Sequence, residues 1–277
     1  MMKKETKTVF RKISAQIFAG LVFLFLYLPI GIIVLFSFNA SRRNILFEGF
    51  TPEWYGVMLT NRPLLEAFGN TLLVAFCSTL IAAMVGTLAA VGMYRYKFHG
   101  KGIIDALLYI PVVIPEIVLG ISLLSIFSLA RIPLGLISLI IAHATFCIPF
   151  VVFTVRARLA GFDRSVEEAA MDLGANRKQV FFNITIPIIA PGIFSGALLA
   201  FTLSIDDIII SFFTTGPNST TFPLKILEMV RSGVRPDVYA LSTLIILATF
   251  LAVAVSQTIV FRKQVRQKKI TVIREEN

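Results

Sequence analysis

Six long apolar stretches dominate this sequence and limit what the chain can fold into. They cover residues 17–38, 71–94, 103–130, 134–155, 184–213 and 238–261. Each is 22 to 30 residues long, whereas about 20 helical residues suffice to cross the hydrocarbon core of a bilayer. Because lipid offers no hydrogen-bond partner to the backbone, these stretches predict helices. The predicted fold class is therefore an all-α, polytopic membrane protein with six transmembrane helices.

Charge separates this chain from soluble proteins and indicates its orientation. Charged residues make up 15% of the chain, against about 25% in soluble domains, which excludes an ordinary soluble enzyme. The loops 1–16, 95–102, 156–183 and 262–277 together hold 19 of the 26 Lys and Arg residues. The positive-inside rule then predicts that both termini and these loops face the cytoplasm. The net charge of +10 is explained by topology, so we expect no nucleic-acid partner.

The loop 156–183 predicts a short helix outside the membrane. Ser165 and Glu168 have the spacing of a capping box. The apolar residues that follow share one helical face; they are Val166, Ala169, Ala170 and Leu173. Gly174 stands where a left-handed residue ends many helices. A capped helix with an apolar face is therefore expected in the cytoplasm.

A second helix is predicted directly after the first. Asn176 and Gln179 repeat the capping-box spacing, so this helix begins there and enters the membrane near Pro187. Two interpretations of the first helix remain open: it lies on the bilayer surface, or it docks into a groove of a partner protein. Small alanine side chains allow the close approach that docking requires.

The same loop resembles a known signature. Glu168-Ala169-Ala170, Gly174, Ile184 and Ile186-Pro187 are spaced like the EAA motif of permease subunits of bacterial ABC importers, with Ile186 where the motif has leucine. The resemblance implies a type I ABC importer permease, with residues 1–277 as one transmembrane domain. It also implies a coupling helix, from Ser165 to Gly174, that docks into an ATPase. The residues expected to serve this coupling are Ser165, Glu168, Ala169, Ala170, Gly174 and Pro187.

Several longer stretches resemble the permeases of spermidine/putrescine importers. They are GFTPEWYGVML, YRYKFHGKG, AHATFCIPFVVFTVRARLAGFD, AFTLSIDDIIISFFTTGP and FPLKILEMVRSGVRPDVYAL. The resemblance implies a permease that carries polyamines across a bacterial inner membrane. It implies as partners a homologous permease subunit, two ATPase subunits, an extracytoplasmic polyamine-binding protein and the lipid bilayer. The sequence has no G-x-x-x-x-G-K-[ST] loop, so ATP and Mg²⁺ are expected on the partner ATPase and no cofactor on this chain.

Three acids inside the apolar stretches are the candidate solute-path residues. Glu116, Asp206 and Asp207 lie in segments where an ionised carboxylate is costly, so such residues usually face a bundle interior or a wet cavity. A structural role is the alternative: Asp206 ends its helix, and Glu116 follows a proline kink. Trp54 and Tyr55, in the first outer loop, could offer aromatic faces to an ammonium group or form an interfacial aromatic belt.

Two other functions remain open at this stage. The first is an importer of the same class for another solute. The second is an intramembrane enzyme that uses Asp206 and Asp207, although the cytoplasmic loop supplies no second acidic cluster with a clear spacing. We assign no catalytic residue and no metal site. His143, in the middle of an apolar stretch, is interpreted as a packed, hydrogen-bonded histidine.

Overall fold

The computed structural model describes residues 2–42, 46–230 and 233–251, and positions 254 and 258. Within these residues nearly every element is a helix, and an isolated bridge between Asn39 and Phe50 belongs to no strand. The helical content confirms the predicted all-α fold class. The chain divides into two compact units, one formed by residues 1–62 and 229–277 and the other by residues 63–228.

The first unit contains three described helices, which are α1 (Met2–Phe36), α2 (Glu53–Thr60) and α12 (Pro236–Leu251). The remaining helices lie in the second unit or at its ends. They are α3 (Arg62–Arg95), α4 (Lys101–Val113), α5 (Glu116–Leu129), α6 (Leu136–Leu159), α7 (Ser165–Asp172), α8 (Arg177–Val180), α9 (Ile186–Ile205), α10 (Ile209–Thr214) and α11 (Phe222–Val230). A π-helical turn, Phe181–Thr185, joins α8 to α9.

Four helices of the described residues are long and apolar enough to cross a membrane. They are Ser14–Phe36, Arg62–Arg95, Leu136–Leu159 and Arg177–Ile205. A fifth span is possible if α4 and α5 count together, although they are bent by 114°. The predicted sixth span, 238–261, lies partly outside the described residues, and its described part belongs to the shorter helix α12. Six spans and the orientation of the termini therefore stay predictions.

Two predicted spans are interrupted in the structure. The stretch 103–130 divides at Ile114, which is extended (ψ 138°) because it precedes Pro115 and the α conformation is disfavoured before proline. The stretch 184–213 divides after Ile205, where α9 ends and α10 begins only at Ile209. Each interruption stands beside acids that the sequence had marked as candidates.

The core of the second unit lies where α6 crosses α9. Gly192 and Gly196 stand four residues apart on α9, and a Cβ at Gly196 would lie 3.1 Å from the Cα of Val151. Small residues at this spacing let two membrane helices approach closely. The contact buries Val151, Val155 and Ile189 completely.

Candidate functional site

The end of α7 has the form that the sequence predicts. Gly174 has φ +91°, the left-handed conformation expected after a helix. The Ala175 N–H donates to the Ala170 carbonyl at 3.0 Å, and the Gly174 N–H donates to the Met171 carbonyl at 2.9 Å. These are the two hydrogen bonds of a Schellman motif. The helix is therefore stopped sharply, and the chain turns towards α8.

The start of α7 differs from the prediction. No side chain forms a capping box at Ser165, and Arg164 occupies the cap position. The Asp163 carboxylate instead accepts a hydrogen bond from the Ser165 N–H at 2.9 Å. This backbone bond, together with one from the Ser165 side chain, lowers the pKa of Asp163. The predicted box at Ser165 and Glu168 is wrong because Asp163 accepts from the Ser165 N–H, and the Glu168 N–H donates to the Arg164 carbonyl.

One side of α7 is uncovered by the rest of the described chain. The side chains of Val166, Glu168 and Ala169 are exposed, and Leu173, directly after the helix, is 90% exposed. Ser165 is exposed as well, and Ala170 is half-buried. We call the surface formed by Val166, Glu168, Ala169 and Leu173 the docking face. It is an apolar surface with one acid, of the kind that fits a partner groove.

The opposite side of α7 is fastened to the chain by a cluster that the sequence analysis missed. Glu167 is buried and accepts hydrogen bonds from Arg95, the last residue of α3, and from the Thr185 hydroxyl. We call Arg95, Glu167 and Thr185 the fastening cluster. The adjacent acids Glu167 and Glu168 were the available signal, but the sequence alone did not identify Arg95 as the partner of Glu167.

The segment after Gly174 follows the prediction closely. Asn176 and Gln179 form a capping box, with the Gln179 N–H donating to the Asn176 side chain at 2.9 Å and the Asn176 N–H donating to the Gln179 side chain at 2.8 Å. The helix continues through the π-helical turn into α9, where Pro187 stands in the first turn. Pro187 has no N–H to donate, and the wider turn before it accommodates that loss.

Glu116 and Asp206 lie at the two helix interruptions, and both side chains are exposed. Glu116 is the first residue of α5, directly after Pro115. Asp206 follows the last residue of α9 and ends that helix. Helix α5 packs against α10, the short helix that follows the second interruption. The two helices that follow the interruptions, α5 and α10, are therefore in contact.

Asp207 has a different environment from its neighbour. Its side chain is buried and accepts hydrogen bonds from the N–H groups of Ile210 at 3.2 Å and Ser211 at 2.7 Å. It therefore serves the first turn of α10. Its Oδ2 atom also lies 3.4 Å from Nε2 of His143 on α6.

His143 connects Asp207 to a chain of buried hydroxyl groups. Its Nδ1 atom lies 2.7 Å from the Ser204 hydroxyl, and its Nε2 atom lies 3.1 Å from the Ser211 hydroxyl. The Ser204 hydroxyl lies 3.1 Å from that of Ser78 on α3. The interpretation of His143 as a packed, hydrogen-bonded residue is confirmed. The network ties α3, α6 and α9 to the interruption before α10.

Trp54 and Tyr55 lie in the first unit and are held by local contacts. Trp54 is buried, and its indole N–H donates to the Asn39 carbonyl at 2.6 Å. Tyr55 is half-buried; its hydroxyl lies 2.9 Å from that of Ser37, and its ring lies 5.2 Å from the ring of Phe38. Their role at a solute path stays a prediction.

One further acid in the apolar stretches forms a structural ion pair. Asp105, which the sequence places near a helix start, pairs with Arg156 on α6. Among the described residues, no group of three or more His, Cys, Asp or Glu side chains could hold a metal ion. At the two interruptions, the exposed carboxylates of Glu116 and Asp206 can attract a cation.

Comparison with known proteins identifies relatives along most of the chain. Residues 82–266 match the family described as "Binding-protein-dependent transport system inner membrane component". The "Spermidine/putrescine transport system permease protein PotC" of Escherichia coli (strain K12) is 43% identical over 242 residues, which cover 87% of this chain and 92% of that protein. The "Putrescine transport system permease protein PotI" of the same strain is 40% identical over 231 residues, covering 81% and 82%.

Solved structures support the same fold. The crystal structure of a bacterial ABC transporter involved in the import of the acidic polysaccharide alginate matches with a TM-score of 0.70. The match covers 89% of this chain and 95% of that one at 16% sequence identity. At this identity the likeness concerns the fold alone.

Proposed function

Because this chain belongs to the family of binding-protein-dependent transport system inner membrane components, it is a permease subunit and not an enzyme, and we propose that its solutes are polyamines. Family membership removes the alternative of an intramembrane enzyme using Asp206 and Asp207. The names of two relatives, one for spermidine/putrescine and one for putrescine, support the choice of solute.

The observation that carries this proposal is the exposure of Glu116 and Asp206 at two helix interruptions. A polyamine bears several ammonium groups separated by methylene chains, and it needs anionic partners that are spaced apart. Acids within membrane segments typically line a solute path or a wet cavity. In the proposed path, Glu116 and Asp206 hold ammonium groups in passing, while Asp207 shapes the interruption from its buried position.

Aromatic residues offer a second kind of contact to a polyamine. An ammonium group is attracted to the face of a tryptophan or tyrosine ring. Tyr55 is half-buried and keeps part of its side chain uncovered, and buried Trp54 precedes it on α2. We assign Tyr55 the direct contact and Trp54 the support of the segment that presents it.

The rest of the proposed importer consists of separate chains at the bacterial inner membrane. A homologous permease subunit completes the solute path, an extracytoplasmic polyamine-binding protein delivers the solute, and two ATPase subunits bind ATP and Mg²⁺. The docking face of α7 contacts one ATPase subunit on the cytoplasmic side. Its exposed apolar side chains support this assignment. ATP binding then closes the ATPase pair and switches the path between its two openings.

Uptake by the reconstituted complex tests the solute. Proteoliposomes that contain both permeases and both ATPase subunits are given the binding protein and labelled spermidine or putrescine, with ATP or, as the control, ADP on the ATPase side. We expect ATP-dependent accumulation of at least one polyamine, and competition by the unlabelled compound. A complex whose ATP hydrolysis responds to a different solute, and which accumulates no polyamine, would show that the chain serves another importer of the same class.

A further inference from the structure

We propose that the fastening cluster of Arg95, Glu167 and Thr185 transmits movement of the docked ATPase from α7 to the membrane helices α3 and α9. The inference rests on the proposed docking of α7 and extends it to residues on the opposite side of the helix. These three residues are positioning residues, since none of them lies on the docking face or at the solute path.

The contacts within the cluster join three separate elements. Arg95 ends α3, Glu167 lies in the first turn of α7, and Thr185 ends the π-helical turn that leads into α9. One carboxylate oxygen of Glu167 accepts hydrogen bonds from both Arg95 and Thr185. Arg95 also donates to the Thr185 hydroxyl at 2.7 Å. Each side chain therefore contacts the other two, and bonds to charged groups are the stronger kind.

The side chains of the fastening cluster are largely covered by the rest of the chain. Thr185 is 1% exposed, and the side chain of Glu167 is 12% exposed. The side chain of Arg95 is 22% exposed, so its interaction with Glu167 is screened less than one between two fully exposed side chains. The guanidinium of Arg95 also lies 5.8 Å from the centre of the Phe181 ring, within the same π-helical turn.

A second attachment ties the start of α7 to the same end of α3. Arg164 donates to the Tyr94 carbonyl at 2.7 Å, and its guanidinium lies 4.5 Å from the centre of the Tyr94 ring. The Tyr94 hydroxyl donates to the Phe162 carbonyl at 3.2 Å. Tyr94 and Arg95 are consecutive. The last turn of α3 therefore contacts both the segment that leads into α7, through Phe162 and Arg164, and the first turn of α7, through Glu167.

The geometry of α7 separates attachment from docking. Consecutive helical positions point about 100° apart, and buried Glu167 and exposed Glu168 follow this rule. A helix of eight residues is too short to be stable by itself. Its position therefore depends on the contacts of its inner side, and a force applied to the docking face passes through them to α3 and α9.

Coupling measurements distinguish transmission from simple stabilisation. We compare Glu167→Gln and Thr185→Val in the complete complex, with Thr185→Ser as the matched control that keeps the hydroxyl. Both test variants should keep their ATPase subunits and hydrolyse ATP, while solute uptake per ATP hydrolysed falls about tenfold. Thr185→Ser should restore most of that ratio. An unchanged ratio, or loss of the assembled complex in both test variants, would overturn the proposal.

A distance measurement needs no knowledge of the solute. Spin labels are placed through Lys97→Cys and Asp172→Cys, both at exposed positions, in a Cys77→Ser, Cys147→Ala background of the complete complex. With the cluster intact, the distance should be the same without nucleotide and with bound ATP, and Glu167→Gln should broaden it. A nucleotide-dependent change of roughly 5 Å or more, one helical turn, would overturn the proposal while leaving the assignment of polyamines untouched.

Discussion

In each of two pairs of adjacent acids, one side chain is buried and the other is exposed. The backbone conformation that separates the two side chains differs between the pairs. In α7, Glu167 is buried against Arg95 while Glu168 is exposed. At the end of α9, Asp207 is buried near His143 while Asp206 is exposed. In both pairs the buried acid holds the fold together, and the exposed acid is free to contact something outside the chain.

The difference between the pairs lies in how the two directions arise. Glu167 and Glu168 point apart because consecutive positions on a continuous helix differ by about 100°. Asp206 and Asp207 point apart because α9 has already ended at Ile205, and Asp207 accepts hydrogen bonds from the N–H groups of Ile210 and Ser211. In α7, helix geometry thus determines which acid is exposed. In the membrane segment, the interruption of the helix determines it.

The strongest test of this comparison is the removal of charge from Asp206. We expect Asp206→Asn to lower the initial rate of polyamine uptake about tenfold to hundredfold, because an ion pair at 4 Å gains about 4 kcal/mol at an effective dielectric of 20, and hydration reduces that gain. Glu116→Gln should have an effect in the same direction. Uptake is measured at matched amounts of permease in the membrane.

ATP hydrolysis in the presence of the binding protein serves as the control for Asp206→Asn, because it reports on an assembled complex. Full uptake by both Asp206→Asn and Glu116→Gln would indicate that these acids have a structural role and do not bind the solute. The comparison would then fail for the membrane pair alone.

Removal of Asp207 should act on stability instead of solute recognition. Asp207→Ala leaves the buried N–H groups of Ile210 and Ser211 without their acceptor, at a cost of about 1–3 kcal/mol for each unsatisfied group. Asp207→Asn keeps an acceptor and should lose less. We expect a lower unfolding temperature of the purified complex, in that order. A variant of normal stability with abolished uptake would place Asp207 on the solute path.

Reversal of charge on the docking face should weaken ATPase association. Glu168→Lys places a cation near the start of α7, where the helix dipole is also positive. We expect about a tenfold loss of affinity for the ATPase subunit, since a charge of the wrong sign opposes its partner at an interface. Co-purification and titration measure this loss, with Glu66→Lys, an exposed acid near the end of α3 opposite to Arg95, as the control. Unchanged affinity in Glu168→Lys would remove this acid from the docking contact.

The smallest effect is expected at the start of α7. The pKa of Asp163 is lowered in the fold, so its stabilising contribution is present above the ordinary carboxyl pKa of about 4. This contribution disappears as the pH falls through the lowered value. We expect faster hydrogen exchange of the Ser165 amide in Asp163→Ala, and no dependence of that exchange on carboxyl protonation. Identical protection in the variant and the parent chain would show that another group caps α7.

Periodicity and spacing predict the parts of the molecule that depend on neighbouring residues. The helix end at Gly174 and the capping box of Asn176 and Gln179 are confirmed because each depends on contacts between residues at most five positions apart. Asp163 replaced the predicted cap at Ser165 because several polar residues compete for the same N–H groups. Local patterns thus locate a cap more securely than they identify the side chain that provides it.

Contacts between distant segments were not predictable in the same way. Arg95 and Glu167 are 72 positions apart, and His143 and Ser211 are 68 apart. Their meeting depends on the crossing of helices, for which a single sequence holds no direct signal. The 114° bend at Pro115 was indicated only as a possible kink, since proline permits a bend whose size depends on tertiary packing.

A structure of the assembled importer with bound spermidine tests the central claim most directly. The deciding quantity is the distance from each ammonium nitrogen to the carboxylate oxygens of Glu116, Asp206 and Asp207. We expect at least one nitrogen within about 4 Å of Asp206 or Glu116, with Asp207 still bonded to the N–H groups of Ile210 and Ser211. A nitrogen bound to Asp207, with those bonds broken and Asp206 facing away, would contradict the account.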